Sequence, residues 1–287
     1  MWLDRYHGLL CDLDGCLVLA GRPLPGAREL VTYAGDRLFI VSNNSIDTPT
    51  TLAAKLARIG LPIAAERIAL AGATAVEQLA ASARGVRVAI YGSPAIVAYA
   101  LSRGLMVDDE NPDVVLLTRD VRFSYARLHR MVRQIERGAE LVVSNLDLSH
   151  PGAAGVRIVE TGVLLETVKA CLPDIRYRPI GKPSPVLYQA AMQRISALGR
   201  DLLAIGDNPA TDGEGARRMG IPCILVGPSA EAQFSGLAAM LQSREAPVRF
   251  FDRGGRTGTA DRAAIADSGR GQISPEARSN GSGLGKA

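Results

Sequence analysis

The sequence predicts an α/β fold with a parallel sheet, because short apolar runs of strand length alternate with segments of helical period. Two such blocks follow one another, and the pattern of the first block then resumes near the end. Strands and helices that alternate in this way build parallel sheets with helices on both faces. The low aromatic content of 5% and the abundant Ala and Gly also favour close helix packing over an all-β sandwich.

The first block begins with the short apolar strand 8–13 (GLLCDL), followed by a helix at 28–34 and a strand at 38–42 (LFIVS). The next helix, at 50–59, has the clearest boundary signals. Thr48 is suited to the N-cap, Pro49 to the first helical position and Gly60 to the end of the helix. The second block has strands at 86–91, 114–118 and 140–144, with helices at 94–103 and 125–137.

The first pattern resumes with a helix at 185–195, a strand at 202–206, a helix at 212–219 and a strand at 222–226. We therefore predict a discontinuous core domain, 1–83 and 177–251, with an inserted α/β domain at 84–176. Residues 252–287 are rich in Gly, Ser and Arg and poor in large apolar side chains. Such a segment buries little surface, so we predict a disordered tail.

Composition excludes several classes of protein. The hydrophobic fraction of 47% and charged fraction of 22% are ordinary for a soluble globular protein. The net charge of +4 comes partly from the tail, and no basic stripe interleaved with aromatics suggests nucleic-acid binding. We find no signal-peptide pattern and no apolar run of the ~18 residues that a membrane span requires. The four cysteines form no CxxC pair, which predicts a reducing cytoplasm and no structural zinc.

Two carboxylates mark the end of the first strand, in Asp12-Leu13-Asp14-Gly15. Side chains two residues apart on a strand share a face, and parallel α/β sheets bind ligands at the carboxyl ends of their strands. Two acids held together repel each other, and a hard cation such as Mg²⁺ relieves the repulsion while also taking phosphate oxygens and water. The motif predicts a magnesium site that handles phosphate, although two solvated acids at a strand end also explain it.

A second acidic pair, Asp207 and Asp212, follows the strand at 202–206 in the segment GDNPATD. Asp207 repeats the placement of Asp12 at the carboxyl end of a strand. Asp212 lies at the start of the next helix, where ordinary capping also explains a carboxylate. The pair predicts further acidic groups at the same edge of the sheet.

Two more motifs supply groups that can bind phosphate. Ser42, Asn43 and Asn44 end the strand at 38–42, and their hydroxyl and amide groups add no charge, although Ser and Asn also favour turns. Lys182 precedes a helix in Gly181-Lys182-Pro183, and its ammonium can balance an aspartate and a phosphate together. A single lysine is usually a solvated surface residue. The four motifs in this order nevertheless favour a phosphate site over coincidence.

In these motifs the chain resembles the haloacid dehalogenase (HAD) superfamily, and it is similar to subfamily IIA, the NagD-like and p-nitrophenyl-phosphatase-like phosphatases. The resemblance is carried by DLDGCL (12–17), VSNNS (41–45), GKPSPVLY (181–188) and GDNPATD (206–212), and it extends over residues 7–228. It implies a Rossmann-like core with a parallel sheet. It also implies that the inserted block is an α/β cap of the C2 type.

The resemblance implies a role for each motif residue. Asp12 is expected to be the nucleophile that forms an aspartyl-phosphate, and Asp14 to protonate the leaving oxygen and then activate water. Lys182 is expected to balance charge. The residues expected to bind the phosphoryl group are Ser42, Asn43 and Asn44.

The same resemblance implies Mg²⁺ as the cofactor. Asp12, the backbone carbonyl of Asp14 and Asp207 are expected to hold the ion, with Asp212 supporting those ligands from behind. Positioning and charge neutralisation dominate phosphoryl transfer, and a carboxylate nucleophile divides the reaction into two easier steps.

Two cap residues are expected to contact the substrate. By the resemblance, segment 145–151 (NLDLSHP) is the specificity loop, and its His150 resembles a His-Pro pair of pyridoxal phosphate phosphatases. Glu160 replaces a glycine of the family pattern, and it can repel an anionic group or accept a hydrogen bond from a hydroxyl or an amine. This departure argues against simple transfer of a relative's substrate.

The sequence thus predicts a Mg²⁺-dependent phosphatase of small phosphomonoester metabolites, a phosphoric monoester hydrolase. Two alternatives stay open: a phosphatase specific for pyridoxal phosphate, and a non-enzymatic binding protein with a HAD fold. The presence of both Asp12 and Asp207 argues against the second. Small phosphorylated metabolites are the expected partners, with no nucleic acid or membrane, and the resemblance implies a homodimer through the cap.

Overall fold

A computed structural model describes residues 1–82, 85–195, 201–245, 249–251 and 257–259 of the chain. The strands are β1 (Gly8–Cys11), β2 (Val18–Leu19), β3 (Arg22–Pro23), β4 (Leu38–Ser42), β5 (Ile68–Leu70), β6 (Arg87–Tyr91), β7 (Met106–Val107), β8 (Val114–Leu117), β9 (Glu140–Val143), β10 (Ser149–Pro151), β11 (Arg157–Val159), β12 (Tyr177–Pro179), β13 (Leu202–Gly206), β14 (Cys223–Leu225), β15 (Arg249–Phe251) and β16 (Thr257–Thr259). The α-helices are α1 (Ala27–Ala34), α2 (Pro49–Arg58), α3 (Ala71–Ser82), α4 (Pro94–Ser102), α5 (Tyr125–Glu136), α6 (Thr161–Cys171), α7 (Pro185–Ile195), α8 (Glu214–Met219) and α9 (Leu237–Gln242).

The larger sheet has the strand order β16-β15-β14-β13-β1-β4-β5. Strands β14, β13, β1, β4 and β5 are parallel, while β15 and β16 join antiparallel. β1 lies between β13 and β4, with Gly8 opposite Leu202 and Leu9 opposite Leu38. The carboxyl ends of these three central strands therefore lie side by side at one edge of the sheet.

The second sheet is built from strands of the inserted block, in the order β12-β9-β8-β6-β7, and all of its pairings are parallel. Strand β12 lies beyond the predicted boundary at residue 176. It pairs with β9, with Arg178 opposite Val142. Because this pairing makes β12 part of the second sheet, we propose that the cap extends through Pro179.

The central strands of both sheets are buried on both faces. In β1, Leu9 packs into one apolar cluster and Leu10 into another on the opposite face. Val115 and Leu116 of β8 divide in the same way between two clusters of the second sheet. Alternate residues of a strand point to opposite faces, so continuous apolar runs are what sheets covered on both sides require. The predicted α/β class with parallel sheets is confirmed.

Several elements differ from the predicted ones. Strand β5 and helix α3 were not predicted, because Leu70 is followed directly by Ala71 with no turn residue between them. The predicted helix at 212–219 begins only at Glu214, because Pro209–Gly213 forms a π-helical turn before it. Within the predicted disordered tail, Thr257–Thr259 forms a strand that pairs with β15. The rest of that tail lies outside the described residues.

The described residues include no helix with the length and apolar character that a bilayer crossing requires. Cys11, Cys16 and Cys223 are buried and Cys171 is exposed, and all four are free thiols. Three of the four cysteines therefore pack as small core residues.

Thr48 caps helix α2 as predicted, and its hydroxyl oxygen accepts a hydrogen bond of 3.1 Å from the Thr51 N–H. We expect Thr48→Ala to lower the free energy of unfolding by about 1 kcal/mol, because it leaves that N–H without its partner. Thr48→Ser keeps the hydroxyl and is the matched control. Urea unfolding of both variants measures the difference, and equal stabilities would contradict the capping role.

Candidate active site

One cavity of about 320 Å³ lies at the carboxyl edge of the larger sheet, between that sheet and the cap. Asp12 follows β1, Ser42 ends β4 and Asp207 follows β13, so the parallel register brings these three together. Every candidate site residue from the sequence analysis lines this cavity: Asp12, Asp14, Ser42, Asn43, Asn44, His150, Glu160, Lys182, Asp207 and Asp212.

Lys182 is buried at the floor of the cavity between two carboxylates. Its Nζ lies 2.5 Å from Asp12 Oδ1 and 2.7 Å from Asp212 Oδ1, and its side chain is 2% exposed. Burial lowers the pKa of Lys182, but the charges of Asp12 and Asp212 outweigh burial and raise it well above its usual range. Lys182 is therefore a fixed positive charge that links Asp12, 170 residues away in the chain, to Asp212, 30 residues away.

Three carboxylates meet beside this lysine. Oxygen atoms of Asp12, Asp207 and Asp212 all lie within 4.8 Å of one another. Burial, together with the negative charge of Asp212, raises the pKa of Asp207 to about 6. Burial likewise raises the pKa of Asp12, against the opposing charge of Lys182. One lysine neutralises only part of the negative charge that the three carboxylates carry when ionised. Their oxygen atoms are hard donors, and their spacing fits a Mg²⁺ ion.

Two glycines allow the loops of this site to approach each other. A Cβ on Gly15 would lie 2.2 Å from Asp207 Oδ2, and the φ of Gly15 is +92°. A Cβ on Gly206 would lie 2.2 Å from the Asp212 carboxylate carbon. Only glycine combines the left-handed backbone with this close contact, so Gly15 is needed to bring the loop after β1 against Asp207.

The side chain of Asn43 is hydrogen-bonded within the protein. Its Oδ1 accepts the Lys182 N–H at 2.7 Å, and its Nδ2 donates to the Lys182 carbonyl at 3.1 Å and to Asp147 Oδ2 at 2.9 Å. Both ends of the amide are therefore used by the protein. The side chain positions the backbone of Lys182 and ties the core to the cap loop, which the sequence analysis did not predict.

The Asn44 side chain closes the turn that follows β4. Its Oδ1 accepts the backbone N–H groups of Ile46 at 3.0 Å and Asp47 at 2.9 Å. This is the ordinary turn chemistry that the sequence analysis kept as an alternative. Ser42 Oγ accepts the Asn44 N–H at 3.1 Å, which leaves the Ser42 hydroxyl proton for donation.

The cap contributes a charged cluster to the opposite wall. His150 Nδ1 lies 2.8 Å from Glu160 Oε1, and Arg119 reaches the same oxygen at 3.4 Å. Burial raises the pKa of Asp14, while the protonated form of His150 and the charges of Lys182 and Arg119 oppose that rise. The sequence analysis missed Arg119, which lies two residues after β8 and belongs to none of the recognised motifs.

Two family models match the chain: haloacid dehalogenase-like hydrolase over residues 9–106, and HAD-hydrolase-like over residues 179–239. The two matched segments carry Asp12 and Asp207, which the structure brings together. The chain belongs to the HAD superfamily. The segment between the two matches carries most of the cap.

Named relatives place this HAD protein among phosphatases. It is 28% identical to a dihydroxyacetone phosphatase of Corynebacterium glutamicum, over 76% of this chain and 79% of the relative. It is 25% identical to the ribonucleotide monophosphatase NagD of Escherichia coli, over 76% and 86%. The predicted NagD-like branch and enzyme class are confirmed, and the chain is a phosphoric monoester hydrolase.

A solved structure supports the fold. The glycerol phosphate phosphatase of Mycobacterium tuberculosis, solved in complex with calcium, superposes with a TM-score of 0.71 at 28% identity. The match covers 78% of this chain and 66% of that chain, so this HAD protein spans about two thirds of that relative. The same phosphatase has also been solved in complex with magnesium.

Asp207→Asn tests the crowding of the three carboxylates. A folded pKa of about 6 against an unfolded value of 3.8 means that ionised Asp207 destabilises the fold at pH 8. In EDTA we expect the variant to be more stable than the wild type by about 1–3 kcal/mol at pH 8. The gap should close as the pH falls from 6 to 4, where the wild-type Asp207 is protonated.

Urea unfolding across this pH range, repeated with Mg²⁺, measures both effects. Added Mg²⁺ should stabilise the wild type at pH 8 and stabilise Asp207→Asn much less. A gap that does not change with pH would contradict the electrostatic explanation.

The donor and the acceptor of the Asn43–Asp147 hydrogen bond can be exchanged by swapping the two side chains. Asn43→Asp faces one carboxylate with another, and we expect a loss of about 2–3 kcal/mol in the free energy of unfolding. Adding Asp147→Asn restores one donor and one acceptor, so the double variant should regain at least half of that loss. A double-mutant cycle by urea unfolding measures the coupling. Additive effects would show that the contact is not formed in solution.

Proposed function

We propose that this HAD protein hydrolyses phosphomonoesters of small metabolites with Mg²⁺, using Asp12 as the nucleophile. The observation that carries the proposal is the buried pairing of Asp12 with Lys182, 2.5 Å apart, at the floor of a cavity with two further acids. A lysine that holds one carboxylate oxygen fixes the orientation of the whole group. The relatives named above are phosphatases of dihydroxyacetone phosphate, ribonucleotides and glycerol phosphate, which supports a small metabolite.

The first half of the reaction transfers the phosphoryl group to the enzyme. A carboxylate oxygen of Asp12 forms a bond to phosphorus while the bond from phosphorus to the ester oxygen breaks. Asp14 gives its proton to that leaving oxygen. Burial raises the pKa of Asp14, which favours the protonated form that a general acid needs.

The second half releases phosphate. Asp14, now ionised, takes a proton from water, and the water oxygen attacks phosphorus as the bond to Asp12 breaks. Asp12 returns as a carboxylate, and Asp14 is again protonated. We assign binding of the phosphoryl oxygens to the Ser42 hydroxyl and the Lys182 ammonium, because the side-chain N–H donors of Asn43 and Asn44 are already engaged within the protein.

Asp12, Asp207 and the backbone carbonyl of Asp14 would hold Mg²⁺, with Asp212 behind them. When bound, the ion supplies positive charge that offsets the carboxylates and the transferring phosphoryl group. The proximity of the three carboxylates and the complexes of the glycerol phosphate phosphatase with calcium and magnesium support this assignment. A cytoplasmic location and pairing of two copies through the cap stay predictions.

Two substitutions separate the roles of the first two acids. Asp12→Asn removes the nucleophile, so we expect phosphate release to fall by about 10³-fold or more with every ester. Asp14→Asn removes the general acid and should cost about 10²–10⁴-fold with alkyl esters. The cost should be much smaller for p-nitrophenyl phosphate transfer to Asp12, because nitrophenolate leaves without a proton.

Steady-state and burst measurements of phosphate and nitrophenol, with Mg²⁺ and with EDTA, test both expectations. Asp174→Asn, an exposed acid outside the cavity, is the matched control. Metal-dependent activity that survives Asp12→Asn would overturn the assignment of the nucleophile.

A further inference from the structure

Three cap residues form a charged cluster on the wall of the cavity near Asp14, and we call Arg119, Glu160 and His150 the cap triad. Glu160 is the centre of the triad, since its Oε1 meets His150 at 2.8 Å and Arg119 at 3.4 Å. The triad lines the same cavity as Asp14, the proposed proton donor. Because Asp14 gives its proton to the leaving oxygen in the proposed reaction, we place the leaving group on the side of the cavity that carries the triad.

Glu160 has hydrogen-bonding capacity that its partners do not use. Its side chain is only 11% exposed, and both partners contact the same oxygen, Oε1. Among the described residues, none donates a hydrogen bond to Oε2. A carboxylate offers about four lone-pair sites, so Glu160 can accept hydroxyl groups from a bound molecule.

The rest of the lining excludes several kinds of leaving group. Among the described residues that line the cavity, only Ile46 and Pro151 have apolar side chains, and none is Phe, Tyr or Trp. A nucleobase or a pyridine ring would find no Phe, Tyr or Trp face to stack on, and the one aromatic ring in the described lining is the imidazole of His150, which Glu160 already holds. The volume of about 320 Å³ is at the lower end of the roughly 300–1,000 Å³ typical of ligand pockets, which limits the leaving group to a few heavy atoms.

The charges of the lining also select against anions. Seven carboxylates line the cavity against the three cations Lys55, Arg119 and Lys182. Each of these cations already pairs with an acid, Lys55 with Asp47 at 2.7 Å. A bound Mg²⁺ and the phosphoryl group of the substrate roughly offset each other. A leaving group with its own carboxylate or second phosphate would therefore be repelled.

We propose that the cap triad recognises hydroxyl groups, and that the preferred substrates are phosphomonoesters of short, uncharged polyols. Glu160 accepts the hydroxyl protons, and Arg119 acts as a positioning residue that holds the Glu160 carboxylate in place. This proposal rests on the proposed phosphatase function and narrows its substrate class. It separates polyol phosphates from nucleotides, pyridoxal phosphate and phosphorylated carboxylic acids.

The test compares kcat/KM for glycerol phosphate with that for phenyl phosphate, 2-phosphoglycolate, pyridoxal phosphate and a nucleoside monophosphate. The wild type should prefer glycerol phosphate to each of the others by about tenfold or more. Glu160→Gln keeps the shape but removes the charge, and it should lower the ratio of glycerol phosphate to phenyl phosphate by about 10–100-fold, the loss expected for a charged hydrogen bond. Arg119→Ala should lower the same ratio, and Arg119→Lys should restore part of it.

Glu166→Gln is the control, because Glu166 is an exposed acid of α6 that pairs with Lys169 away from the cavity. Its ratio should equal that of the wild type. Thermal melting of each variant identifies loss of fold, which would lower both rates together and leave the ratio unchanged. The ratio of the two kcat/KM values therefore does not depend on the enzyme concentration or on partial unfolding.

The outcomes distinguish the two proposals. If the wild type hydrolyses none of the esters, the phosphatase function itself fails. If it hydrolyses them but favours 2-phosphoglycolate, pyridoxal phosphate or the nucleotide, the polyol proposal is overturned and the phosphatase function stands. If folded Glu160→Gln lowers both rates by the same factor, Glu160 serves catalysis in general and does not recognise hydroxyl groups.

Discussion

The arrangement of the site depends on one electrostatic constraint: acids at the ends of adjacent parallel strands need positive charge between them. Strands β1 and β13 are neighbours, so their register forces the residues that follow them to share one small volume. Lys182 provides the charge from a third segment, 2.5 Å from Asp12 and 2.7 Å from Asp212. A buried ammonium and buried carboxylates are each costly to desolvate alone, and together they fix one geometry. The lysine neutralises only part of the negative charge of these carboxylates. The negative charge that is left makes the site suited to a divalent cation.

Asn43 connects the position of the cap to this buried lysine. This amide holds the backbone of Lys182 on both its N–H and its carbonyl, and it also donates to Asp147 of the cap loop. Asn145 adds a second tie, because its Nδ2 donates to the Asn43 carbonyl at 2.8 Å. The position of the lysine and the position of the cap wall are thus linked by one residue. A cap held in this way presents the same polar wall to each substrate, which is the physical basis for selectivity among leaving groups.

The sequence predicted the fold class and the convergence of the four motifs, because both follow from local patterns: apolar runs of strand length, and polar residues directly after them. It did not predict which atoms meet. Asn43 and Asn44 have the same side chain at adjacent positions, yet one holds Lys182 and the other closes a turn. Arg119 and Asp147 have no distinctive local pattern, and their importance arises only when the cap folds over the core. Strand β12 was assigned to the core because three residues carry too little periodicity to show which sheet they join.

The most direct test of the account is chemical trapping of the phosphorylated residue. The enzyme is mixed with Mg²⁺ and excess substrate, quenched in acid and treated with borohydride, which reduces an acyl phosphate and converts the aspartate to homoserine. Peptide mass spectrometry then locates the change. The account predicts conversion at Asp12, dependent on both substrate and metal, with Asp14, Asp207 and Asp212 unchanged. Conversion at another acid, or turnover with no acyl phosphate on the enzyme, would contradict it.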